Sequence, residues 1–374
     1  MLRIAIVGCG KIADAHAAQI RRIDGAEIVG VCDREPLMAQ QLAERFAVSQ
    51  HFSDVGQMLA GATPDVVHIT TPPASHFPIA RQCLQAGCHV YVEKPFTLDA
   101  IEAEALLALA ATRGLAVTVG HDDQFSHVAR RMRALVRTGY LGGPAVHMES
   151  SYCYDLTDPG YARALLADRN HWVRRLPGKL LHNIISHGIA RIAEFLESDS
   201  PQVFAHGFTS PRLRQLGEDG LVDELRVIIA EEGRTAYFTF SSQMRPALHE
   251  FRVFGPKNGL VLDQDEETLI KLPGARLKSY AAKFVPPVRT ARQHIGNVAT
   301  NARTFLGRDF HMKAGMKNLI ETFYRSIDGA TAPPIPHREI LLTARIMDAV
   351  FEQLDRRSPQ AETEVPAPRR RAAR

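Results

Sequence analysis

The chain is 374 residues long, 45% hydrophobic and 23% charged, with a formal net charge of +4. That length suits two domains, and the composition excludes a disordered or membrane-spanning chain. The mild basic balance gives no reason to expect a nucleic-acid partner, and five scattered cysteines without a CxxC pair fit free thiols in a reducing cytoplasm. The apolar start, Met1 to Val7, is interrupted by Gly8 and Gly10, which makes it a poor export signal.

In chain order, short apolar runs at Leu2–Val7, Glu27–Cys32, Val66–Ile69, Val90–Val92 and Ala116–Val119 alternate with helical stretches. The helices are predicted at Lys11–Arg22, Pro36–Phe46, Val55–Ala60, Phe77–Ala86 and Asp99–Thr112. Apolar strands separated by amphipathic helices predict an α/β Rossmann domain with a doubly wound parallel sheet over residues 1–121. A helix at His127–Thr138, a strand at Ala145–Tyr154 and a helix near Leu180–Leu196 follow. Strands at Val203–Thr209, Glu224–Ala230, Thr235–Ser241, Glu250–Phe254, Leu260–Asp263 and Thr268–Leu272 succeed one another without helices between them. They predict an open-faced, mainly antiparallel sheet. Helices at Val288–Phe305, Met312–Ile327 and Arg338–Leu354 complete an α+β domain over 122–357, for substrate binding and oligomerisation. Residues 358–374 read as a flexible basic tail.

The first strand runs into Gly8-Cys9-Gly10-Lys11-Ile12-Ala13, a G-x-G-x-x-A turn opening a helix. Gly8 permits the turn, Gly10 lets the backbone approach a pyrophosphate, and the amides at Lys11 and Ile12 face the phosphates. Asp33 ends the second strand, where its carboxylate can accept ribose hydroxyls and repel a 2′-phosphate. NAD is therefore expected over NADP. Arg34 beside it could stack on adenine or sit in solvent. Two further loops leave the carboxyl ends of strands, where ligands bind in such sheets: Thr70-Thr71-Pro72-Pro73-Ala74-Ser75-His76, and Glu93-Lys94-Pro95.

G-x-G-x-x-A, T-x-P-x-x-H and E-K-P in this order resemble the Gfo/Idh/MocA family of oxidoreductases. The likeness continues at Val119-Gly120-His121 and Gly139-Tyr140-Leu141-Gly142, covers the first 195 residues, and extends to the remainder by architecture. It implies reversible oxidation of a secondary alcohol on a sugar, cyclitol or nucleotide-sugar. It makes Lys94 the catalytic lysine and the Lys94–Pro95 bond a candidate for the cis form. It places Thr70, Thr71, Pro72, His76, Glu93 and His121 about the cofactor. Pro177 to His187 resembles the family's glycine-rich turn and helix ending in Asp-x-Gly-x-His, which makes His187 the general base. Asn183 stands where many members have Asp, and Ile185 where they have Gly. Asn183 and His187, four apart, are expected on one helical face. Asparagine can hold the imidazole or a substrate hydroxyl but adds no negative charge. Some relatives use bound NAD transiently to cleave glycosidic bonds, and a non-catalytic sensor is a third alternative.

On the substrate side, Trp172 can stack on a sugar ring and Arg174 can pair an anion, with Tyr152 near the expected cleft. No metal is expected, because His182 and His187 are five apart and do not share a helical face. Between Lys283 and Arg308 there is no acidic residue, and Val288, Ala291, Ile295, Val298, Ala302 and Phe305 form an apolar stripe. Packing on the second domain or on a copy in a homo-oligomer, dimer or tetramer, is the expected use. Docking to an anionic membrane or a lipid-linked sugar diphosphate is the alternative.

Overall fold

A computed structural model describes residues 1–156, 168–274, 277–278, 280–307, 313–327 and 329–356. The expected basic tail lies outside the described residues. The first third forms β1 (Leu2–Val7), α1 (Lys11–Ile20), β2 (Ala26–Cys32), α2 (Pro36–Phe46), β3 (His51–Phe52) and α3 (Val55–Ala62). β4 (Val66–Ile69), α4 (His76–Gln85), β5 (His89–Val92), α5 (Ala100–Arg113) and β6 (Val117–Val119) follow. All six strands run parallel in the order β3-β2-β1-β4-β5-β6. β1 and β4 are central, so both of their faces must be apolar, and Ile4, Ile6, Val66 and Ile69 are fully buried. Strand polarity puts the ends of β1, β4 and β5 along one edge.

The second sheet is built from β7 (His147–Tyr152), β8 (Gln202–Phe208), β9 (Glu224–Glu231), β10 (Arg234–Ser241), β11 (His249–Phe254), β12 (Asn258–Asp263) and β13 (Thr268–Pro273). Their order is β13-β12-β11-β7-β10-β9-β8, antiparallel except where β10 lies parallel to β7. Ala236, Phe238 and Phe240 alternate inward from Tyr237 and Thr239, the two-residue period of a sheet with one covered face. Helices α6 (His127–Arg137), α7 (Lys179–Ile184), α8 (Ser186–Ala193), α9 (Pro211–Gln215), α10 (Ala281–Leu306), α11 (Ala314–Ile327) and α12 (His337–Arg356) complete the chain.

Three features differ from the sequence expectation. The helix expected over 180–196 is two, α7 and α8, meeting at Ile185. The Asn183 carbonyl at this break is taken by the Lys94 ammonium at 2.8 Å. α10 starts seven residues earlier than expected and runs through Pro286 and Pro287; near a helix start these forfeit only two backbone hydrogen bonds. The first core, finally, does not end with β6. Met316, Leu319, Ile320 and Phe323 of α11 return to it and are buried there.

α10 lies along edge strand β13 in an unusual way. Gln293 Oε1 accepts from Lys271 N at 2.8 Å, and Gln293 Nε2 donates to Lys271 O at 3.2 Å. Asn297 does the same for Leu269, at 3.3 and 3.1 Å, and Asn301 Nδ2 donates to Glu266 O at 3.2 Å. Three amides one turn apart thus stand in for the missing neighbouring strand. Asn297 is buried and also accepts from Arg131 at 3.0 Å. Asn297→Ala should cost about 1–3 kcal/mol, because it strands the buried Leu269 groups. Urea unfolding against the parent protein checks this.

Candidate active site

The end of β1 turns at Gly8 with φ +92°, and a Cβ there would lie 2.8 Å from the Thr71 amide nitrogen. Only glycine fits. Gly10 leads into α1, and a Cβ there would meet nothing within 4 Å, so this side of the turn is open. The start of α1 carries no side-chain cap, which leaves the amides at Lys11 and Ile12 free for an anion. Asp33 Oδ2 accepts from Cys9 N at 2.7 Å and Oδ1 from Glu35 N at 3.0 Å, fixing the carboxylate against the glycine turn. Arg34 is exposed beside it. An open glycine turn, an uncapped helix start and a fixed carboxylate fit a dinucleotide.

The Thr70 hydroxyl is buried and donates to Gly8 O at 2.6 Å. Pro72 is exposed at the loop's crest. His76 lies beneath the loop, wholly buried, with Nδ1 2.9 Å from Pro95 O and Nε2 2.8 Å from Thr71 O. It clips the Thr71 loop to the Lys94–Pro95 loop, whose peptide is cis. Glu93 also points inward. Its Oε2 accepts from the Lys94 amide at 3.1 Å and its Oε1 lies 2.9 Å from His16 Nε2. His16 Nδ1 is 2.8 Å from His68 Nδ1, and His68 Nε2 is 2.8 Å from the Tyr324 hydroxyl. Burial would raise Glu93, yet His16, Lys94 and the Lys94 amide outweigh it and lower the carboxyl to about 2. A carboxylate only accepts, so His16 Nε2–H donates to Glu93, and His68 and Tyr324 continue the line behind it. Burial depresses His68, which favours its neutral form.

Across the cleft, His187 is buried on α8 and stacks on Tyr152, ring centres 5.7 Å apart. Its Nδ1 lies 3.6 Å from Asp123 Oδ2. Asp123 comes from the turn after β6 and also accepts from the Tyr152 hydroxyl at 2.9 Å, with Arg191 at 3.8 Å. Burial opposes its ionisation, but the His187 and Arg191 charges and the Tyr152 hydroxyl hold it well below the carboxylate range. Burial and this neighbour push adjacent Asp122 up to about 7. The negative charge that Asn183 lacks is thus supplied by Asp123. Asn183 contributes its backbone carbonyl, to Lys94. Burial also depresses the Lys94 ammonium.

A cavity of about 510 Å³ opens beside Asp122 and Asp123, with Tyr152, Tyr154, His249 and Gln264 on its sheet side. The structure does not bring Trp172 and Arg174 there. Trp172 packs partly buried against the second core. Arg174 is committed to Glu218, through 2.5 and 2.9 Å bonds. Asp122, Asp123 and His187 offer donor atoms within 4.8 Å of one another, a set that could hold a cation and that counting histidines alone missed. Two adjacent carboxylates just past a parallel strand's end were the available signal. His121 is buried with both ring nitrogens unpartnered, its ring 5.6 Å from that of His187. A ligand or an ordered water can satisfy such groups.

Residues 2–121 match the family model described as "Oxidoreductase family, NAD-binding Rossmann fold", the Gfo/Idh/MocA family. The match is confined to the N-terminal domain, residues 2–121 of the 374. It is 33% identical over 142 residues to the D-glucoside 3-dehydrogenase of Escherichia coli, covering 38% of this chain and 40% of the relative. It is 36% identical over 120 residues to the UDP-N-acetylglucosamine 3-dehydrogenase of Acidithiobacillus ferrooxidans, covering 32% and 37% respectively. These matches span about 40% of the relatives' length. In fold, the chain is similar to the WlbA dehydrogenase of Bordetella pertussis, solved with NADH and UDP-GlcNAcA. The TM-score is 0.74, with 17% identity and 95% of each chain covered.

Burial lowers His187 to about 4 and His121 to about 3 from an ordinary 6.5. The unfolded chain therefore takes up protons on both before the folded protein does. Their contribution to stability is complete above pH 6.5 and is lost as pH falls towards 3. Urea midpoints should drop over that window, and His121→Gln should lessen the drop by about 1–3 kcal/mol.

Proposed function

We propose that the protein is an NAD-dependent dehydrogenase that interconverts a secondary alcohol and a ketone on a neutral sugar or cyclitol. The observation that carries this reading is the reach of Lys94 from β5 to the Asn183 carbonyl, one turn before His187. It puts the cation of one domain beside the base of the other. The dinucleotide would lie on Gly8, Gly10 and the start of α1, with its ribose on Asp33, whose charge disfavours a 2′-phosphate. Thr70, Thr71 and Pro72 would border it, with His121 facing it, while His76 and Glu93 set the loops from behind. A bound nicotinamide supplies hydride acceptance and return.

The chain's own groups handle the proton. His187 is neutral at pH 7 and accepts it from the substrate hydroxyl, and ionised Asp123 stabilises the imidazolium that forms. The Lys94 ammonium donates to the same substrate oxygen and offsets its growing negative charge. Tyr152 holds Asp123 in place and, with Tyr154 and His249, borders the substrate. Asp122, Asp123, Asp265 and Glu267 line the cavity, and no Lys or Arg does so among its described residues. That charge favours an uncharged polyol over a nucleotide-linked sugar. Five free, buried cysteines fit a cytoplasmic protein. The outer sheet face leaves Phe204, Phe208, Ile228 and Tyr237 exposed, which suits assembly with a second copy.

NADH formation over free sugars, cyclitols and nucleotide-linked sugars tests the reading. Lys94→Ala or His187→Ala should lower turnover about 10³-fold or more with NAD affinity kept, and Asp123→Asn about 10–100-fold. Undiminished turnover in either of the first two variants overturns the mechanism. Turnover confined to nucleotide-linked sugars overturns the substrate class.

A further inference from the structure

The amphipathic helix α10 is mounted the wrong way round for a helix that serves its own fold. Its polar side, Gln293, Asn297 and Asn301, faces the protein and caps β13. At 100° per residue its apolar stripe lies about 140° away, on the outer side. Phe284, Val288, Ile295, Val298 and Phe305 are 61–70% exposed there. The helix has 26 residues, about 39 Å of length. Residues 281–292 are exposed throughout. An outward apolar stripe of this length calls for a cover.

Charge selects the cover. From Thr268 to Arg308 the sequence has no Asp or Glu. Arg292 and Arg303 are exposed along one flank of the stripe, Arg289 lies further round towards the docking side, and Lys283 is on the other flank. A second copy laid along the same stripe would bring arginine flanks together with no carboxylate to pair them. The acidic turn Asp263–Glu267 does not interrupt this pattern, because it meets α10 on the docking side, through Asn301. Among the described residues no helix is long and apolar enough to cross a membrane. Apolar side chains outward, a basic flank and a polar back fixed to the protein are what an interfacial helix requires.

We propose that α10 is a membrane-docking element that lays its outer stripe into the headgroup region of an anionic phospholipid bilayer. The helix would lie in the interface plane with Arg292 and Arg303 against lipid phosphates. Its C-terminal half borders the turn that supplies Asp265 and Glu267 to the cavity, so docking would set the cleft close to the bilayer surface. This inference is independent of the dehydrogenase reading.

The test is co-sedimentation of the full chain with phosphatidylcholine vesicles, with and without about 30% phosphatidylglycerol, at low and high salt. Binding should require phosphatidylglycerol and fall with salt. Each flanking arginine is worth about fivefold in partitioning, so R292Q/R303Q should lower binding roughly 25-fold. Phe284→Ser with Ile295→Ser should abolish it. Circular dichroism and turnover of soluble substrate should match the parent in both variants, which separates lost docking from lost folding. Equal binding to neutral vesicles, or no binding at low salt, overturns the proposal. So does a fall in solution mass of the serine variant, which would assign the stripe to a second copy.

Discussion

A carboxylate buried at the end of β5 organises the Rossmann half of this protein. Ionised Glu93 in an apolar interior would cost several kcal/mol without partners, and its partners come from much of the domain. α1 sends His16, β4 sends His68 behind it, and α11 sends Tyr324, 256 positions from His68. Even the path of β6 is set by it, since a Cβ on Gly120 would lie 2.7 Å from Glu93 Oε1. The line ends in a bond that His16 donates to Glu93, and each member behind it has a partner at 2.8 Å. Such a network holds one geometry, and the residue it holds in place is the neighbour of Lys94.

That fixed point explains how the two halves of the site meet. Lys94 leaves β5 with its amide bonded to Glu93 and its ammonium bonded to the second domain. The bond it makes there is with a backbone carbonyl at the junction of α7 and α8. The helix break and the lysine's position are therefore one structural fact. His187, just past the junction, is held on its other side by Asp123, whose own carboxylate is fixed by Tyr152 of β7. Three elements of different origin converge on one imidazole, and burial favours its neutral form.

What the sequence revealed follows from this arrangement. Gly8, Gly10 and Asp33 sit in a short local pattern whose spacing points to a dinucleotide, Lys94 and His187 were picked out by the family resemblance, and the parallel sheet shows in its apolar runs. Asp123 was hidden because its contact with His187 spans 64 positions and no spacing rule links them. Tyr324 was hidden for the same reason, and so was the return of α11 to the first core. Trp172 and Arg174 had the right chemistry for a sugar site, but their partners, the second core and Glu218, are apparent only in three dimensions. The expected pairing of Asn183 and His187 on one face assumed a continuous helix. The lysine that makes the site is what interrupts it.

The same reasoning separates the two surfaces left uncovered. The exposed face of the second sheet carries isolated aromatic and aliphatic side chains on strands whose backbone groups are already paired, an ordinary basis for association between copies. α10 is different, because its polar residues are spent on the sheet edge. Gln293, Asn297 and Asn301 replace a strand, and a helix that offers its amides inward must offer its apolar stripe outward. The stripe's exposure is thus fixed by how the β13 edge is capped. Turning the helix to bury Phe284 and Ile295 would strip the edge of its hydrogen bonds. Among the described residues nothing covers the stripe, and the one-signed charge along it selects an anionic cover.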